Sequence, residues 1–204
     1  MTTRREHWAS VYANRGERDV SWFEAVPAVS VRMIEAAGVS ADSRVIDVGA
    51  GESRVVDYLL ARGVTGITVL DVSSDALARA RRRLGALAAR VTWIDADVTG
   101  DWICDPVDIW HDRATFHFLT SADDRARYGA NLRRMLKARG TAIIATFALD
   151  GPEKCSGLPV VRYSPQSLAA ELGDEFALVE SATHVHTTPS GASQSFQYSR
   201  LVRR

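Results

Sequence analysis

Cysteine is nearly absent: Cys104 and Cys155 are the only two in 204 residues. Two thiols cannot build a disulfide-rich secreted scaffold. With no CxxC pair, they offer no cysteine-based zinc or iron–sulfur site. An excess of one charge is missing too, since 25 Lys+Arg stand against 25 Asp+Glu. A dedicated nucleic-acid binder carries a basic footprint, so no nucleic-acid partner is expected. No apolar run approaches the ~20 residues of a membrane span, and Arg4-Arg5-Glu6-His7-Trp8 lacks the apolar stretch of a signal peptide. The sequence holds no internal repeat and no GxxxxGK[ST], which excludes a P-loop. These absences predict a cytoplasmic chain with reduced thiols and no membrane partner.

What remains is ordinary globular composition, 46 % hydrophobic and 25 % charged, enough for one domain. The expected organisation is a single domain over residues 1–204, with a helical extension or lid over 1–38 and a core over 44–204.

The extension reads as a helix over 5–14, with Trp8 and Tyr12 on one face, then Ser21-Trp22-Phe23. A second helix runs from Pro27 to Ala37 with Val31 and Ile34 inward. Short apolar runs ended by glycine or acid predict strands at 44–48, 66–71, 91–94, 107–110 and 141–147. Helical spacing predicts helices over 53–62, 74–88 and 122–137 between them. In the middle one Ser74 is the expected cap, Leu77, Leu84 and Leu87 face inward, and Arg79, Arg81, Arg82 and Arg83 mostly face water. Gly140 is expected to end the last helix. The alternation implies βαβ units: an α/β, Rossmann-like doubly wound sheet, mostly parallel, with helices on both faces. A helix from Pro165 to Leu172 and two long strands around Pro189-Ser190-Gly191 then predict an antiparallel C-terminal strand pair.

In such a sheet, ligands bind beyond the carboxyl ends of the strands. The first strand ends in Asp47-Val48-Gly49-Ala50-Gly51, where glycines permit a sharp turn and close approach of a ligand to backbone. The second ends in Asp71-Val72, with Asp71 22 residues past Gly49. An acid there can accept hydrogen bonds from both hydroxyls of a ribose. Together they indicate an adenosine-containing cofactor. A dinucleotide needs glycine at the sixth position of GxGxxG, where Arg54 stands, and this disfavours NAD.

These segments resemble the class I S-adenosylmethionine-dependent methyltransferases from Val45 to Phe147. Val45-Ile46-Asp47-Val48-Gly49-Ala50-Gly51 is similar to the family's first motif, and Leu70-Asp71 to its ribose clamp. Ser53 stands where many members have a third glycine. Ala96-Asp97-Val98 resembles the adenine-edge motif, which implies Asp97 on the amino group and the Val98 backbone on the ring. The resemblance implies S-adenosyl-L-methionine as cofactor. His7-Trp8, Tyr12 and Ser21-Trp22-Phe23 are similar to the cover of small members acting on thiols, thiopurines or lysines. Trp110-His111-Asp112-Arg113-Ala114-Thr115 resembles their fourth-strand segment, with Ala114 in place of the common glycine.

Asp47 is expected to orient the glycine loop or reach the methionine amine. His111 is a candidate cofactor contact, and His111 and Asp112 are candidates to orient a nucleophile or take its proton. The plainer alternatives are that Asp112 pairs with Arg113 and that His117 packs among Phe116, Phe118 and Leu119. Trp8, Tyr12, Trp22, His117 and Cys155 are candidate substrate or lid residues; Tyr163 is a further candidate base. His184 and His186 alternate on one strand, but with no third ligand in view no metal site is expected. The expected reaction is methyl transfer to a small-molecule thiol, amine or hydroxyl, by a monomer or homodimer. A protein lysine is the alternative acceptor, and a non-catalytic cofactor-binding protein the alternative of another class.

Overall fold

The structure, a computed structural model, describes residues 3–204; the first two residues of the expected extension lie outside the described ones. Seven strands form one sheet in the order β3-β2-β1-β4-β5-β9-β8. The strands are β1 (Arg44–Val48), β2 (Gly66–Asp71), β3 (Val91–Asp95), β4 (Val107–Arg113), β5 (Leu136–Phe147), β8 (Phe176–Thr187) and β9 (Ser193–Arg203). β1 to β5 pair in parallel, and β9 lies antiparallel between β5 and β8. This is the doubly wound, mostly parallel sheet that the alternation implies. A two-stranded hairpin, β6 (Lys154–Cys155) with β7 (Leu158–Pro159), was not expected from the sequence.

Successive strand residues point to opposite faces, so Val45 and Ile46 enter different cores. Val45 packs with Met33 and Ile34 of α2 (Ala28–Ala36), Leu59 of α3 (Val55–Ala61) and Leu77 of α4 (Ser74–Leu84). Ile46 packs with Tyr128 and Leu132 of α5 (Ala122–Met135) and Leu168 of α6 (Pro165–Leu172). Helices therefore cover both faces. The remaining helix, α1 (Arg4–Asn14), starts with a reciprocal capping box between Thr3 and Glu6.

Four local expectations are corrected. Ser73, not Ser74, caps α4, because Asp71 Oδ1 accepts the Ser73 N–H at 2.7 Å and holds that residue extended ahead of the helix. The helix stops at Leu84, where Gly85 takes φ +57° and a 3-10 segment follows, leaving Leu87 46 % exposed. Helix α5 ends at Met135, not Gly140; Leu136 turns extended and pairs with Val107 at once. In α2, Ser30 rather than Val31 is buried, because its hydroxyl has a partner inside.

The arginine face of α4 is also drier than expected. Arg79 donates to the carbonyls of Tyr12 and Arg15, and Arg83 bonds Asp57 at 2.7 Å and the Ser53 carbonyl at 2.8 Å. The Arg79 bonds fasten the N-terminal segment to α4, and the Arg83 bonds tie α4 to α3 and the loop before it. Arg81 and Arg82 alone remain exposed in this group.

Candidate active site

The strand order reverses between β1 and β4, and a cavity opens there above the carboxyl ends of β1 and β2. Gly49 and Gly51 take φ of +58° and +54°, left-handed conformations that glycine adopts without a Cβ penalty. A Cβ would sit 1.8 Å from Thr115 Oγ1 at Gly49, and 2.1 Å from the Tyr12 hydroxyl oxygen at Gly51. Asp71 ties the loop to β2: its Oδ2 accepts the Gly51 N–H at 2.7 Å and its Oδ1 the Ser73 N–H. Burial pushes its carboxyl up to about 6, against the pull of those two donors.

Asp47 stands beside Asp71 at the end of β1. Its Oδ1 is 2.6 Å from His111 Nδ1, and His111 Nε2 is 2.9 Å from Ser30 Oγ. Its second oxygen, Oδ2, is buried and has no hydrogen-bond partner among the described residues. Asp47 lines the cavity, whereas His111 lies behind it. A buried carboxylate oxygen left free costs desolvation unless a donor arrives. The site thus fits a ligand bearing a cationic or N–H group at this point.

On the other side of Asp71, Asp97 and Val98 line the same cavity. Asp97 Oδ1 accepts from the Thr99 N–H and hydroxyl, and its Oδ2 from Arg4 of α1 at 2.6 Å. Burial alone would raise this carboxyl; the donors from Thr99 and Arg4 outweigh it and hold it below the usual range. Asn131 holds the Val98 carbonyl at 2.8 Å. Ala50 and Val72 complete the floor.

The N-terminal segment forms the roof. Trp8 meets Phe118 edge to face at 5.0 Å and Trp22 at 5.8 Å, and Tyr12 lies 6.3 Å from Trp22. Trp8, Tyr12 and Trp22 all line the cavity, so these aromatics do not pack on the back of the sheet. Cys155 also lines it, and burial pushes its thiol up.

Other expected residues stand elsewhere. β4 runs on through His111, Asp112 and Arg113, so neighbours alternate faces. Asp112 therefore does not pair with Arg113. It is fully buried, accepts from Tyr128 at 2.8 Å and the Thr115 N–H at 2.9 Å, and burial pushes it up to about 6. His117 is fully buried, packed edge-on against Phe118 and close to Phe147, where burial depresses it to about 3. Tyr163 packs near Phe116 in the opposite core, and burial pushes it up to about 12. His111, Asp112, His117 and Tyr163 all lie outside the cavity lining.

Sequence reasoning missed Arg4, Glu17, Glu24, Glu52, Arg54 and Thr115 on the wall. Most are held as ion pairs: Glu17 with Arg54 at 2.5 Å, and Glu24 with Arg113 at 2.8 Å. Long-range pairing of this kind leaves no spacing signal. Thr115 alone had one, as the residue after Ala114 in the fourth-strand segment.

Residues 45–140 match a family model described as a methyltransferase domain. No curated protein sequence matches the chain. Among solved structures, it is similar to 1,6-didemethyltoxoflavin-N1-methyltransferase of Burkholderia thailandensis, determined with 1,6-didemethyltoxoflavin and S-adenosylhomocysteine. The TM-score is 0.75 at 22 % identity, over 98 % of this chain and 86 % of that one. N-methyltransferase NodS of Bradyrhizobium japonicum, in complex with S-adenosylhomocysteine, aligns at TM-score 0.72 and 13 % identity, over 98 % and 99 % of the two chains. An S-adenosylmethionine-dependent methyltransferase of Anabaena variabilis aligns at 0.77 and 14 %, over 98 % and 93 %.

Proposed function

We propose that this chain is a class I S-adenosylmethionine-dependent methyltransferase and that it methylates a small-molecule amine or thiol. The observation that carries this reading is the cavity above β1 and β2, with the unpartnered Asp47 Oδ2 at one end and Asp97 at the other. S-adenosylmethionine, when bound, supplies an electrophilic methyl group on a sulfonium. Asp47 Oδ2 takes the methionine ammonium, and the Gly49-Ala50-Gly51 backbone gives room beside it. Asp71 accepts the ribose hydroxyls with the lone pairs left by Gly51 and Ser73. Asp97 and Val98 flank the adenine once Arg4 yields its place. His111 acts as a positioning residue, holding Asp47.

The protein's main contribution is alignment, which supplies roughly 7–11 kcal/mol in well-oriented systems. In methyl transfer the nucleophile's lone pair would form the new bond to carbon, and the carbon–sulfur pair would stay with sulfur. The expected bases lie off the wall, and the acids on the acceptor side are paired with arginine. An amine with a free lone pair, or a thiol ionised near its reference pKa of ~8.5, needs no base, so these acceptors are preferred over a hydroxyl. Aromatic walls at Trp8, Trp22 and Phe118 suit a planar acceptor. The toxoflavin enzyme's name describes such a ring nitrogen. A protein lysine is the alternative acceptor.

In this reading the enzyme works in the cytoplasm as a monomer or homodimer, with residues 1–38 as its cover. Among the described residues, no helix is long and apolar enough to cross a membrane. The test is S-adenosylhomocysteine formation against a panel of heterocyclic amines, alkyl amines, thiols, phenols and a lysine peptide. Turnover on amines or thiols supports the reading; turnover only on phenols or the peptide contradicts it.

A further inference from the structure

Strand β8 contributes to a cluster of metal-ligand type. His184 and His186 share one face of β8, and the fold brings Glu24 between them. The ligand atoms of the three side chains lie within 4.8 Å of one another. Glu24 Oε1 is 3.3 Å from His186 Nδ1 and 3.5 Å from His184 Nε2. For zinc–nitrogen and zinc–oxygen bonds of about 2.0–2.1 Å, tetrahedral ligands sit about 3.3 Å apart. The two carboxylate–imidazole edges, at 3.3 and 3.5 Å, lie close to that spacing.

The protons make the case sharper. His186 Nε2 is 2.8 Å from the Ser21 carbonyl, which can only accept, so the ring proton sits on Nε2. When the ring is neutral, its Nδ1 lone pair is the atom that faces the Glu24 carboxylate oxygen, at 3.3 Å. The ring is 5 % exposed, so water gives little relief. A metal-bound histidine characteristically donates its other N–H to a carbonyl or carboxylate, as here, and a ligating carboxylate is itself hydrogen-bonded. Glu24 meets the second condition through Arg113, which donates to the same Oε1 at 2.8 Å and holds it in place.

We propose that Glu24, His184 and His186 form a site for one zinc-class divalent ion, with water in the fourth position. The ion clasps the segment carrying Trp22 and Glu24 to the sheet edge and so fixes the acceptor-side wall of the cavity. Two imidazoles with a single carboxylate, next to the Arg113 charge, select a nitrogen-seeking ion. Magnesium and calcium, which want several oxygens, are disfavoured.

The test is calorimetric titration of the chelator-treated full chain with zinc chloride and, separately, magnesium chloride, without cofactor. The expected result is one zinc per chain, a higher melting temperature with zinc, and no magnesium binding. His184→Ala, at a half-exposed position, should weaken zinc by more than roughly 100-fold, since outer-shell changes alone cost 10–100-fold. Glu24→Gln, which preserves shape, should weaken it at least tenfold. Absence of zinc binding, as when a proton fills the gap at Nδ1, would overturn the proposal. So would unchanged zinc affinity in both variants, or magnesium binding as well as zinc. The cofactor plays no part in this readout, so failure here leaves the methyltransferase reading standing.

Discussion

Asp47 and His111 face each other in register on the adjacent parallel strands β1 and β4, joined at 2.6 Å between Oδ1 and Nδ1. This bond fixes one carboxylate oxygen and leaves the other, on a residue that lines the cavity, without a partner. His111→Leu should therefore weaken S-adenosylmethionine binding about tenfold, the loss of one charge-assisted bond of about 1.4 kcal/mol. His111→Asn, which restores a donor, should recover most of that. The maximal rate at saturating cofactor should change little. A melting temperature that falls while cofactor affinity stays constant would mean that His111 is only a packing residue.

Asp112 predicts a pH dependence of stability. Its folded-state pKa is raised to about 6 from 3.8, chiefly by burial. The folded protein holds this proton longer than the unfolded chain, so the contribution is complete below about 4 and is lost as pH rises through about 6. Asp112→Asn has no such proton to lose. Relative to wild type it should gain up to roughly 3 kcal/mol between pH 4 and pH 7. Denaturant unfolding of both proteins across that range checks the sign. An Asn variant that loses ground toward pH 7 would show that the ionised carboxylate is the stabilising form.

Gly51 and Tyr12 form a close contact between floor and roof. At φ +54°, alanine costs roughly 1–2 kcal/mol in backbone strain, and its Cβ collides with the Tyr12 hydroxyl. Gly51→Ala should lower stability and abolish cofactor binding. Adding Tyr12→Phe should return part of the stability without restoring binding, because the methyl group still fills the approach to the backbone. Full recovery of binding in the double variant would place the cofactor away from this loop.

The roof predicts a split between stability and turnover. Removing residues 1–14 deletes Trp8 and Tyr12 but leaves Trp22 and Glu24. The exposed pair Arg5–Asp95 and the half-buried pair Arg4–Asp97 go with it, each worth at most about 1 kcal/mol. The sheet should stay folded while turnover per folded molecule falls by more than tenfold, as water enters the site. A large drop in melting temperature with turnover intact would make the helix a structural brace.

The mostly parallel sheet and its antiparallel end were legible because the relevant signals are local. Val45-Ile46, Gly66 to Asp71 and Thr141 to Phe147 each combine apolar runs with a terminating glycine, acid or loop. Asp47, Gly49, Asp71 and Asp97 read as candidates because they stand within two positions of the ends of β1, β2 and β3, and all four line the cavity. What escaped depends on partners distant in sequence. Arg113 meets Glu24 across 89 residues, and His186 meets Ser21 across 165. His111 and Asp112 read as strand-end groups, but β4 runs three residues further than the apolar pattern Val107 to Trp110 implies. The extra length turns them inward, where Asp47 and Tyr128 satisfy them. The end of α5 was misplaced because Gly140 is a strong local stop signal, yet pairing of Leu136 with Val107 ends the helix sooner.

Calorimetric titration with S-adenosylmethionine of the wild-type chain beside Asp71→Ala and Asp47→Asn tests the central claim most directly. One site per chain is predicted for wild type, weakened by roughly 1.5–3 kcal/mol in each variant, the scale of a hydrogen bond to a charged group. Wild-type protein that binds no S-adenosylmethionine, or variants that bind it with unchanged affinity, would contradict the account.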